Sequence, residues 1–428
     1  MLNRKNAPAI HTVDYLNIPK PENIILKNGI KCNVINVGSE EVVRLDIIIG
    51  GGQWSQDKPL QSMFTNRMIR EGCKGMNSSQ IAEKLDYYGA WLDLSSSVNC
   101  TFITLYSLNK YFHYTIEIVS KMIKNAVFPE KEFSIIVENN KQQFLVNSTR
   151  VDMMARKKLN EALFGEKHPL GRYANADDYD NISIEDLKRF YINNYHSKNI
   201  VIYISGKVTE KVLDNIESHL GNEEWGETKI MKPFKNVTPM LTTDRKIFIR
   251  KENALQSSLK IGAFLMDREH PDFLKTRVLV TLFGGYFGSR LMSNIREDKG
   301  YTYGIGAGIV SYPNCGTLVI STEAANEYVE DIIKETYNEM DRLRNEQVSE
   351  QELQMVKNYM IGDMCRSYEG PFSIAEAWIY TETANLDKDF YARALDAIKS
   401  TTREDIRNLA QNYFCKENLI EVVVGEKV

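Results

Sequence analysis

The stretch Ser183–Gly206, SIEDLKRFYINNYHSKNIVIYISG, returns near the end of the chain as Thr401–Gly425, TTREDIRNLAQNYFCKENLIEVVVG. Glu185 aligns with Glu404, Asn199 with Asn418 and Gly206 with Gly425, each pair 219 residues apart. Ser183 and Thr402 then fall at equivalent helix N-caps, with Asp186 and Asp405 at equivalent third positions, where a carboxylate can answer the cap. A cap, an apolar helical spacing, a strand and a closing glycine that repeat together imply two related α/β domains. The first is expected over residues 1–220 and the second over 247–428. The polar segment Gly221–Lys246, with its two prolines, reads as the linker between them.

Working back from the repeat, residues 1–20 read as a loosely ordered arm. Ile24–Leu26, Asn28-Gly29 and Ile30–Val37 read as a hairpin, since Asn-Gly suits a type I′ turn. Val42–Ile49 is a strand, and Pro59–Arg70 has helical apolar spacing. Asn77 caps a helix that Gly89 stops. Two strands, Trp91–Ser97 and Thr101–Ser107, precede a helix Tyr111–Asn125 with Ile116, Val119 and Ile123 inward, and a long helix follows from Glu130. Val151–Phe164 is another. In the second half Ile247–Arg250 and Ser257–Phe264 are strands and Pro271–Phe283 a helix. Tyr303–Val310 and Thr317–Thr322 form a hairpin, and the helices from Glu327 and Glu350 match those from Tyr111 and Glu130. Strands in adjacent pairs with helices grouped between them give an α+β fold. Each half is a mixed or antiparallel sheet with helices on one face.

Composition narrows the function. Of 428 residues, 26% are charged with a net charge of −4, which advertises neither nucleic acid nor anionic lipid as a partner. No apolar run reaches the length of a membrane span. The N-terminus lacks the apolar core of an export signal, which predicts a cytoplasmic protein. Six cysteines without a C-x-x-C pair read as free thiols of a reducing compartment.

The stretch Gly284–Tyr303, GGYFGSRLMSNIREDKGYTY, carries the candidate chemistry. A glycine turn (Gly284, Gly285, Gly288) leads into a short helix with Leu291, Met292 and Ile295 on one face. Arg296 closes that helix and Tyr303 starts the next strand. A guanidinium and a phenol that converge suit a peptide carbonyl or the oxyanion formed from it. Taken alone, such residues more often make a surface ion pair and half-buried packing. The six histidines, His11, His113, His168, His196, His219 and His270, nowhere stand at metal-ligand spacing.

GSRLMSNIREDKGYTYGIGA (288–307), LKNGIKCNVI (26–35), HPLGR (168–172) and the Glu185-Asp186-Leu187 helix together resemble the pitrilysin/insulinase family of zinc peptidases, in its compact branch with mitochondrial processing peptidase. The resemblance implies a clamshell of two homologous domains and assigns Arg296 and Tyr303 to substrate contact, with Gly284, Gly285 and Gly288 along the substrate path. It also implies a zinc box in the first domain: two histidines four apart on a helix, a glutamate before the second and a remote glutamate. Here the box falls on Met63, Asn66 and Arg67, and the remote position on Gln143, 76 residues beyond Arg67. A fixed guanidinium repels a dication, and an amide neither accepts the proton nor ligates well.

The resemblance therefore implies a chain with no cofactor of its own, a non-catalytic subunit. It would offer Arg296 and Tyr303 to a peptide held by a zinc-bearing sibling. A peptide-binding scaffold or homodimer without peptidase activity is the alternative, and an autonomous hydrolase a third.

Overall fold

A computed structural model describes residues 13–227 and 238–426. The arm read over residues 1–20 and the linker read over 221–246 lie partly outside the described residues. The first half builds a sheet in the spatial order Glu22–Ile25, Lys31–Asn36, Ile200–Gly206, Val42–Gly50, Cys100–Leu108 and Trp91–Ser96. The second half builds Lys246–Arg250, Ile420–Gly425, Gln256–Leu265, Cys315–Ala325 and Thr302–Tyr312. In both, one pair is parallel, Lys31–Asn36 with Ile200–Gly206 and Lys246–Arg250 with Ile420–Gly425. The remaining ladders are antiparallel. The sheets share one strand order, and the first has an extra outer strand. Two homologous mixed sheets are what the repeat predicts.

Local chemistry explains the shared frame. Helices Ile184–Asn194 and Arg403–Tyr413 both start in capping boxes, Ser183 with Asp186 and Thr402 with Asp405. Each box satisfies two otherwise orphaned backbone N–H groups. Helix Phe112–Lys124 buries Ile116, Val119 and Ile123, as its spacing predicts. Full burial of each such side chain is worth about 1.5–3 kcal/mol.

One feature of the packing is absent from the sequence reading. Helix Val151–Phe164 leaves its own half and lies on the second sheet, where Ala155, Leu159 and Leu163 cluster with Ile420, Val422 and Val424. A Cβ at Gly262 would stand 3.0 Å from Leu159, so glycine there admits the helix. Helix Pro371–Thr383, its counterpart in the repeat, lies on the first sheet. Ile374, Ala375 and Trp378 pack there on Ile35, Ile48 and Tyr203. Each half thus lends the other a helix, and each sheet is covered on the face its own helices leave open.

Smaller departures have local causes. The hairpin at Asn28-Gly29 is not a two-residue type I′ turn, because Gly29 has φ 89° while Asn28 stays at negative φ. Leu26 N–H donates to Ile30 and the Asn28 side chain accepts from Ile30 N–H, which makes the loop three residues wide. The helix expected over Pro59–Arg70 is Gln61–Met68, entered through Leu60 at φ 71°. The helix expected over Pro271–Phe283 is Phe273–Val280, widening into a π-helical turn Thr281–Gly285. Among the described residues no helix is long and apolar enough to cross a membrane.

Candidate functional site

In the first half the box residues sit on helix Gln61–Met68. Asn66 is buried, and its amide is fully engaged. It donates to Ser95 O at 2.7 Å and Phe102 O at 3.1 Å, and accepts from the Tyr195 hydroxyl at 3.0 Å. Burial pushes the Tyr195 phenol far above its usual range, so it remains a donor. Arg67 is exposed and donates to Asn140 on helix Glu130–Ser148. Met63 packs half-buried against the cluster of Phe64, Met68 and Tyr179. Gln143, on helix Glu130–Ser148, is exposed. Phe133, Ile136, Val137 and Phe144 of that helix pack into the same cluster as Met63.

This donor set does not fit zinc. The amide that would have to ligate or take a proton is already bonded three ways, and a guanidinium stands beside it. Among the described residues no three His, Cys, Asp or Glu side chains converge on a possible metal position. His113 and His219, far apart in sequence, do meet with ring centroids 5.8 Å apart. No sequence spacing signals that contact.

In the second half the segment Met292–Asp298 is a π-helical turn. Leu291 and Ile295 are buried, and Asn294 donates to Glu335 at 3.1 Å and Glu339 at 2.9 Å on helix Val329–Asn345. Gly300, at φ 66°, ends the turn by donating its N–H to Arg296 O. These anchors hold Arg296, whose guanidinium lies 4.6 Å from the centroid of the exposed Phe287 ring. The guanidinium makes no ion pair among the described residues.

Tyr303 stands on a bulge. The register between Thr302–Tyr312 and Cys315–Ala325 slips between Thr302 and Ile305. Hydroxyls fix the bulge: Thr302 donates to Glu323 O at 2.7 Å, and Thr322 donates to Gly304 O at 2.8 Å. A bulge re-aims the side chain it carries. Tyr303 is 92% exposed and has no hydrogen bond among the described residues. No hydrogen bond joins Arg296 to Tyr303. Both point donors outward, from elements that touch where Ile305 N–H meets Met292 Sδ at 3.4 Å.

The three glycines of the turn differ. A Cβ at Gly284 would lie 2.7 Å from Ala307, so this buried glycine is required for close packing of the turn on the strand. Gly285 and Gly288 are exposed. Phe287, Asn294, Thr302 and Thr322 escaped the sequence reading, since each acts by holding or flanking another group.

Residues 181–360 match the family described as the peptidase M16 inactive domain. Relatives include an uncharacterized zinc protease YmxG of Bacillus subtilis, 22% identical over 348 residues, covering 80% of this chain and 83% of that protein. A non-peptidase homolog YmxG of Helicobacter pylori is 24% identical over 263 residues, covering 60% of this chain and 59% of that one. Among solved structures, a peptidase M16 inactive domain from Pseudomonas fluorescens superposes with a TM-score of 0.83 at 20% identity, covering 95% of this chain and 98% of that one. The family resemblance read from 288–307 is borne out. Residues 181–360 thus match the domain that the M16 peptidase family calls inactive, and the chain as a whole is similar in fold to M16-type proteins.

Proposed function

We propose that the chain is a zinc-free subunit of an M16-type peptidase, with residues 1–220 and 247–428 as its two domains, and that Arg296 and Tyr303 bind a peptide held at the zinc of a sibling subunit. The observation that carries this reading is the display of Tyr303. A bulge fixed by two threonine hydroxyls holds a phenol 92% exposed, which no requirement of the fold explains. Arg296 beside Phe287 adds a cation over an aromatic face, and the pair offers donors for a carbonyl or an oxyanion. Gly285 and Gly288 flank the path. The non-catalytic part of the reading draws on the bonding of Asn66 and Arg67 and on the Helicobacter pylori relative named a non-peptidase homolog. Six free cysteines favour the cytoplasm.

The test uses the full chain mixed with its zinc-bearing sibling. Arg296→Ala lowers kcat/KM of peptide cleavage about a hundredfold, the scale for losing one oxyanion donor. Tyr303→Phe, which keeps the ring, lowers it less. Full turnover with Arg296→Ala would sink the proposal.

A second reading, a peptide-binding clamshell with no enzymatic partner, is favoured by one observation. A cavity of about 590 Å³ follows the unpaired edge of strand Thr302–Tyr312 at residues 307–311, and its lining charges are Arg268 and Arg277. Peptide affinity in the isolated chain, as a homodimer without a sibling, selects this reading.

A further inference from the structure

The sheets can be compared row by row. In the first, Tyr203, Asp46, Thr104 and Asp93 lie directly opposite one another across four strands. The equivalent row in the second is Val422, Lys260, Ser321 and Gly306. Directly opposed residues share a sheet face. Lys260 and Ser321 therefore face helix Val151–Phe164, as Asp46 and Thr104 face helix Pro371–Thr383.

The first row is closed. Asp46 accepts from Thr104 at 2.7 Å and pairs with Arg44 at 2.9 Å, and Arg44 reaches Glu376 of the lent helix at 2.6 Å. The second row is open. Lys260 is half-buried and donates to the Ser321 hydroxyl, but no carboxylate pairs with it among the described residues. Burial holds its ammonium below the usual lysine range; the nearby Glu323 and Asp152 carboxylates oppose this without bonding to it, and Arg156 of the lent helix adds a smaller push in the same direction as burial. Arg156 is exposed and has no ion pair either among the described residues, where its guanidinium donates to Met153 Sδ. Two cations thus share this face with no acid bonded to either among the described residues, although Glu323 and Asp152 stand near enough to act on Lys260. Beyond Ser321 the row ends on Gly306, with Gly304 and Gly308 flanking it on the edge strand. Cβ atoms at 304 and 308 would meet nothing within 4 Å, and one at 306 would meet the Gly284 carbonyl oxygen at 3.6 Å, so the edge strand is bare on either side of the row.

We propose that Lys260, Ser321 and Arg156 form a carboxylate-binding site, open along the bare strand Gly304–Gly308, that takes an acidic group of an extended peptide. Lys260 and Arg156 supply the charge and Ser321 a directed hydroxyl; charge-assisted bonds of this kind are the strong ones. The site rests on the reading of the chain as a peptide binder and adds to it a preference for acidic peptides, through a side chain or a free C-terminus.

The full chain is titrated with a short fluorescent peptide in three forms: glutamate-bearing and amidated, glutamine-bearing and amidated, and glutamine-bearing with a free C-terminus. The glutamate form or the free-acid form binds more tightly than the neutral one. Lys260→Met weakens that form about tenfold, Lys260→Arg retains it, and the neutral form is indifferent to both. Equal binding of all three forms to the wild type overturns the site, as does an acidic preference that survives Lys260→Met. If no form binds, the peptide-binding reading fails by itself, and the carboxylate site is decided on the wild-type chain by acylation with N-acetoxysuccinimide mapped by mass spectrometry. Succinate then slows acylation of Lys260 severalfold while the exposed Lys131 is unaffected. An unchanged rate at Lys260 overturns the proposal.

Discussion

The two halves share a strand order, a pair of capping boxes and a lent helix, yet their polar groups behave differently. In the first half the buried amide of Asn66 is bonded three ways and the Asp46 carboxylate is locked to Arg44. In the second half, among the described residues, Arg296 and Lys260 have no ion pair and Tyr303 has no hydrogen bond. One fold can therefore carry two chemistries. Where donors and acceptors answer each other the half is structural, and where they are held without an answer it is available to a ligand.

The contrast can be broken most strongly at Asp46. Asp46→Ala leaves the buried Arg44 with only the exposed Glu376, and the chain loses about 3–5 kcal/mol in denaturant unfolding. The equivalent Lys260→Met is far milder. If Asp46→Ala is harmless, the first row is not closed by that pair. Next, Asn66→Ala strands the buried Tyr195 hydroxyl and two carbonyls, costing about 2–3 kcal/mol in the same assay.

The capping boxes give a finer comparison. Burial alone would raise the Asp186 pKa, but Lys58, Arg189 and Ser183 together bring it down to about 2. Its stabilisation is complete above the unfolded carboxylate value and is lost as pH falls from about 4 towards 2. Asp186→Asn thus costs about 2 kcal/mol at pH 7, and the gap to wild type closes as pH falls through that window. Asp405 answers Thr402 and only one cation, Lys275, so Asp405→Asn costs about 1 kcal/mol. Equal losses at the two sites would show that the extra cations at Asp186 contribute nothing.

Those boxes were legible in the sequence because a cap is a local pattern, and the same holds for the helix of Ile116, Val119 and Ile123. The lending of helices Val151–Phe164 and Pro371–Thr383 was not. Apolar spacing says that a face is buried, not which sheet buries it. The donor residues Arg296 and Tyr303 could be named in advance, but the bulge that displays Tyr303 depends on Thr302 meeting Thr322, a cross-strand contact.

The claim that the first half is closed to zinc is tested most directly by metal analysis of the purified full chain after dialysis against zinc. The bonding of Asn66 and the charge of Arg67 predict far less than one zinc per chain, unchanged in Arg67→Ala. One zinc per wild-type chain, lost on substitution of Met63 or Asn66, would contradict it.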